Sequence, residues 1–229
     1  MQEFVDQAEI IHTDGRWKRL NEAIEGFAVS IPKNDMWKVD VFPNLSFNLL
    51  NEYIHLKDGF HGDDSGSPIV VWHARNLLEI SIWVLFCLTS EENERRFYED
   101  SIVDAYDLIA RAKKLYPQNS SLSKNYESAL LNLEHQAASQ NIHEIDRKYL
   151  SVSKIAKKLN IKENFDFQNK FLSKYVHPSA LQIVSPHLYK AVRLQAFHFG
   201  CLNFVNAFPL LESYFMSGRS AQTVGVNED

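Results

Sequence analysis

Apolar residues recur along this chain at intervals of three and four, and the two-residue alternation of a strand is nearly absent. In "RWKRLNEAIEGFAVSI", residues 16–31, Trp17, Leu20, Ile24, Phe27 and Ala28 share one helical face and Pro32 closes the segment. "NLSFNLLNEYIHL" predicts a shorter helix around 44–56, and the glycines, aspartates and serines of "KDGFHGDDSGSP" then break the pattern. The most apolar stretch, "SPIVVWHARNLLEISIWVLFCLTS", predicts a long helix over 67–89. His73, Arg75 and Glu79 interrupt it and leave too short a run for a bilayer, which needs about 20 apolar residues, so a central core helix is expected.

Ser90 caps the next predicted helix. Its acids come first and Arg111, Lys113 and Lys114 come last, before Pro117, the order a helix dipole favours. A further helix is expected from about Ser120 to Gln140, with Leu122, Tyr126, Leu130 and Leu133 as its stripe. "LSVSKIAKKLNI" predicts a short helix capped by Ser151, and "NFDFQNKFLSKYVHP" one that ends at His177. Ser185 and Pro186 open a long aromatic helix that Pro209 is expected to kink. These elements predict an all-α, single-domain helical bundle: N-terminal helices and a loop over 1–66 packed on a bundle over 67–217, then a disordered tail over 218–229.

Composition narrows the function classes. The chain has 229 residues, 45% of them hydrophobic, enough for one sizeable core. A net charge of −5 argues against a general binder of nucleic acid or anionic membrane, so any polyanion site must be local. Cys87 and Cys201 sit in apolar surroundings without metal-type spacing and are expected as buried, reduced thiols. "MQEFVDQAEI" has no basic segment followed by an apolar run, which points to a cytoplasmic protein.

The strongly basic region is 147–174, where Arg147, Lys148, Lys154, Lys157, Lys158, Lys162, Lys170 and Lys174 face only Glu163 and Asp166. With Tyr149, Phe165, Phe167 and Tyr175 interleaved, it can hold phosphates and stack bases, or serve as a solvated lysine face. Arg75 and Glu79, one turn apart on the most apolar helix, are either an internal ion pair or a polar site in a bundle groove; Asp100, Asp104 and Asp107 are candidate partners. His177, with Lys170 and Lys174 behind it and Pro178 after it, either caps its helix or moves protons beside a bound phosphate. His198 shares a stripe with Leu194, Cys201 and Val205 and is expected as a core histidine.

Other matches carry less. "GDDSGSP" has the look of a serine-protease nucleophile loop but lies in a helical chain. His55, His61, Asp63 and Asp64 lack any recognised metal-ligand spacing, so no metal or other cofactor is expected. "SVSKIAKKLNI" echoes the first helix of a helix-turn-helix with no recognition helix behind it.

Taken together, "ARNLLEISIWVLFCL", "FYEDSIVDAYDLI", "IAKKLNI" and "FLSKYVHPSA" resemble an uncharacterised bacterial family of helical proteins that is similar in plan to the HEPN superfamily. The resemblance spans roughly 67–181, and the Ser-x-Tyr-x-His-Pro stretch is its most specific part. It implies a homodimeric HEPN-like bundle and a metal-independent RNA cut, in which the 2′-hydroxyl attacks the adjacent phosphate. His177 then serves as acid and base, and Lys170 stands where the family carries an arginine, without the guanidinium fork. Lys174, Tyr175, Lys154, Lys157 and Lys158 hold RNA, while Arg75 and Glu79 orient or complete the groove. It further implies a setting in antiviral defence or toxin–antitoxin systems. The alternative is a non-catalytic module that uses the same groove to bind RNA, a nucleotide or a partner protein.

Overall fold

A computed structural model describes residues 1–62, 68–116, 120–177 and 188–217. Several expectations fall outside them: Asp63 and Asp64 in the "GDDSGSP" loop, Pro117, Pro178, Ser185, Pro186 and the tail from 218. Among the described residues there are nine α-helices, one 3-10 helix and no strand, so the fold is an all-α bundle. In chain order these are α1 (Gln2–Thr13), α2 (Arg16–Ser30), the 3-10 helix (Lys33–Asp40), α3 (Phe42–His61), α4 (Ile69–Thr89) and α5 (Glu91–Lys114). They continue as α6 (Ser121–Ser139), α7 (Val152–Lys158), α8 (Lys162–Val176) and α9 (Tyr189–Met216).

The apolar face of α4 is broad enough to be covered by α3, α5, α7, α8 and α9 together. Val70, Val71, Ala74, Leu77, Leu78, Ile82, Val84 and Phe86 are all buried there. By length and composition alone α4 could also cross a membrane; here its neighbours bury it as a core helix. α9 supplies the aromatic counterpart: Phe204 stacks on Tyr53 at 4.1 Å, and Phe197 on Phe60 at 3.9 Å. Helices α3 and α9 meet where Gly200 leaves room for Leu56, whose methyl a Cβ at 200 would strike. Pro209 lies inside α9 without ending it.

Some elements differ from expectation. Residues Gln2–Thr13 form α1, which packs Ala8 and Ile11 onto α9, and a 3-10 helix follows α2. Helix α3 is longer than 44–56, with Phe42 continuing its buried face backward and the helix running on to His61. The predicted stripe lies on a peripheral helix whose main neighbour is α5: Leu133 packs against the core, Tyr126 and Leu130 are half-buried, and Leu122 is exposed. Ser151 begins α7 without a side-chain capping bond, whereas Ser90 caps α5 by accepting from the Asn93 N–H at 3.1 Å.

Cys87 and Cys201 are free and buried, and burial pushes the Cys87 thiol well up and the Cys201 thiol up to about 12. His198 is half-buried and its stripe neighbour Leu194 is exposed, so it is no core histidine. Its pKa is lowered by burial and then by the N-terminal ammonium.

Candidate functional site

The residues singled out by sequence do not converge. Arg75 and Glu79 form the expected pair at 3.2 Å, but their side chains are 31% and 36% exposed, so it is a half-solvated pair rather than a buried one. None of the three aspartates joins it. Asp100 accepts from Arg147 at 2.5 Å and from the Leu150 N–H, Asp107 pairs with Arg111, and Asp104 is exposed.

His177 is the exposed residue that ends α8 in an extended conformation, φ −102° and ψ 146°. It has no hydrogen-bond partner among the described residues and lines none of the clefts described below. Lys170 and Lys174 are exposed, while Tyr175 is buried with its ring 5.6 Å from Phe171 and has no free face for a base. The lysines of α7 lie at the opposite end of α8 from His177. A helix of 15 residues separates them, roughly 22 Å at 1.5 Å per residue.

The structure assembles a different constellation around Lys154 and Lys158. An open cleft of about 540 Å³ runs between the first turns of α5 and the short α7, with Phe86, Leu150 and Ile155 as its floor. Four cations reach it, Arg95, Arg96, Lys154 and Lys158, against two acids, Glu92 and Glu99. Helical spacing on α5 puts residues 92, 95, 96 and 99 on one face.

Arg95 is fixed in place. It pairs with Glu99 at 3.2 Å, donates to the Gln140 backbone carbonyl at 2.5 Å and lies over the Trp37 ring at 5.1 Å. Arg96 is freer, since its one near carboxylate, Asp100 at 3.9 Å, is already held by Arg147. Lys158 sits over the Phe86 ring at 5.5 Å with Asn93 Oδ1 at 3.3 Å, and Lys154 has no partner among the described residues.

Leu150 is shared with a second cleft of about 250 Å³ lined by Trp83, Phe97, Ser101, Asp104 and Tyr149. Tyr149 is 55% exposed. The Arg147–Asp100 pair, 11% and 8% exposed, pins this segment to α5, so Arg147 is a structural cation rather than one for RNA. The two clefts adjoin at Leu150, with cations in the first and an exposed aromatic ring in the second, and together make the groove. Such a groove can pair with phosphates and stack a base. Lys157 is exposed beside it without lining it.

Arg95 and Arg96 were missed in the sequence because they lie inside "SEENERR", whose acids hide the cations, and some sixty residues before the lysines they join. No group of three His, Cys, Asp or Glu side chains able to hold a metal occurs among the described residues. His73 does hold Glu52 at 2.6 Å with His55 stacked at 5.3 Å.

The family described as "Family of unknown function (DUF5677)" matches residues 46–188, well over half of the chain, and the protein belongs to it. No curated protein and no solved structure matches the chain.

Proposed function

We propose that this member of the family is a HEPN-like, cytoplasmic module of a bacterial defence or toxin–antitoxin system that binds single-stranded RNA along α5 without cutting it. The groove carries the reading. Lys154 and Lys158 present ammonium groups with no carboxylate partner among the described residues, and Arg96 a guanidinium whose Asp100 contact at 3.9 Å is shared with Arg147, next to the exposed face of Tyr149. Phosphate neutralisation supplies most sequence-independent affinity, and aromatic stacking contributes about 1–3 kcal/mol per base. Both fit single strands better than a duplex, whose bases are already stacked.

Cleavage by His177 is the second reading, favoured by the exposure of its ring and the absence of a partner holding it among the described residues. A homodimer would have to supply what is missing around it, because Arg75 and Glu79 pair with each other and share no described cleft with it.

The test is fluorescence anisotropy of a labelled single-stranded RNA, run beside a gel of the same RNA incubated with chelator. Saturable binding at low salt with intact RNA is expected. RNA shortened by the wild type but not by His177→Ala would transfer the assignment to cleavage, and an absence of binding at low salt would end the binding reading.

A further inference from the structure

The cleft that holds Tyr149 differs in chemistry from the cationic one it adjoins. Among the described residues no lysine or arginine lines it. Its polar side chains come from one face of α5, where Asp100, Ser101 and Asp104 follow at helical spacing. Asp100 is already spent, since one carboxylate oxygen accepts from Arg147 and the other from the Leu150 N–H. Ser101 donates its hydroxyl hydrogen to the Tyr98 carbonyl at 2.7 Å and keeps only lone pairs. Asp104 has no partner among the described residues, so its two oxygens are open to donors. The unused polar capacity of this cleft is therefore acceptor only.

Such a lining repels phosphate and selects N–H groups. Guanine is the RNA base whose pairing edge carries two neighbouring N–H donors, on N1 and on the 2-amino group, and these match the two oxygens of one carboxylate. Adenine and cytosine set a ring-nitrogen acceptor beside their amino group, and uracil sets its single N–H between two carbonyls. Each of those three would turn a lone pair toward Asp104. Single strands leave these edges free to be read.

The apolar part of the lining fits a base held on one face. Trp83 and Phe97 touch each other, 4.8 Å apart at 49°, and make a wall rather than a slot. Tyr149 supplies the open ring. At about 250 Å³ the cleft is smaller than the range of about 300–1,000 Å³ in which whole-ligand sites fall, which suits one base rather than a complete nucleotide.

We infer that this cleft selects guanine from the bound strand. The base stacks on Tyr149, its N1–H and 2-amino groups donate to Asp104, and the cations of the neighbouring cleft hold the flanking phosphates. The inference rests on the proposed RNA groove and adds a base preference, which phosphate contacts cannot supply. Asp104 is its specificity-determining residue.

The experiment compares labelled oligouridine with the same strand carrying one central guanosine, adenosine, cytidine or inosine, by fluorescence anisotropy at low salt. The guanosine strand is expected to bind wild type about tenfold more tightly than the uridine, adenosine and cytidine strands. Inosine, which lacks only the 2-amino group, should lose most of that advantage. In Asp104→Asn, whose amide offers one acceptor beside a donor, the ratio of guanosine to uridine affinity should fall to within about twofold, with a thermal melt showing the variant folded. Equal binding of all strands by wild type, inosine equal to guanosine, or an undiminished ratio in folded Asp104→Asn would each overturn the assignment while leaving the groove in place. Failure of every strand to bind would instead overturn the groove and this assignment with it.

Discussion

Replacing Glu94 with glutamine isolates one buried acid. Glu94 projects from α5 into the core and is 2% exposed, with one carboxylate oxygen buried and unpaired. Burial raises its pKa to about 7. Lys38 pulls the other way, and Glu91 and Asp35 add to the rise. The folded chain thus keeps a proton that the unfolded chain releases near the ordinary value of 4.5. Stability is undiminished below about pH 4.5, falls as pH rises toward 7, and stays lower above it. A displacement of that size is worth ~3 kcal/mol at most. Glutamine is neutral throughout, so the difference in unfolding free energy, variant minus wild type, should grow by ~3 kcal/mol between pH 4.5 and 8. For a chain of this length that corresponds to roughly 6–12 °C in Tm. Urea unfolding at each pH measures the difference, and the comparison cancels every other titrating group. Parallel pH profiles for the two proteins would refute the reasoning.

Three further outcomes follow from packing. Arg147→Ala strands the Asp100 carboxylate, 8% exposed, and should cost ~3–5 kcal/mol in chemical denaturation; a loss under ~1 kcal/mol would show that the pair does not pin the Tyr149 segment. Gly200→Ala should destabilise by ~1–3 kcal/mol despite its better helix propensity, because the new methyl meets Leu56; a rise in Tm would contradict that contact. Cys87 and Cys201 should resist an aromatic disulfide reagent until urea unfolds the chain, since burial raises both thiol pKa values; rapid labelling of the native protein would show the thiols open.

The helices from α2 to α9 were legible because their apolar residues keep the 3.6-residue period and their ends carry Ser90, Ser120 and Pro32. Helix α1 carries the same period in Phe4, Val5, Ala8 and Ile11, but over only 12 residues and with no side-chain cap to mark its start. Linear charge counting found Lys154 and Lys158 and misjudged Arg147, because a run of cations does not reveal which one a distant carboxylate will bury. The groove itself is a tertiary fact: Arg95 and Arg96 of α5 meet the α7 lysines where the chain returns across α5 beside the Asp100–Arg147 pair. His177 shows the opposite failure. Its local context of Lys170, Lys174 and a helix end was suggestive, yet the length of α8 separates it from the lysines of α7.

The central claim is that Arg96, Lys154 and Lys158 hold RNA phosphates. Anisotropy of a labelled single-stranded RNA, measured across a potassium chloride series, tests it most directly. Three neutralised phosphates predict a slope of log affinity against log salt near −2, at about −0.7 per contact. Changing all three residues to alanine should bring that slope close to zero; the wild-type slope persisting in the folded triple variant would contradict the account.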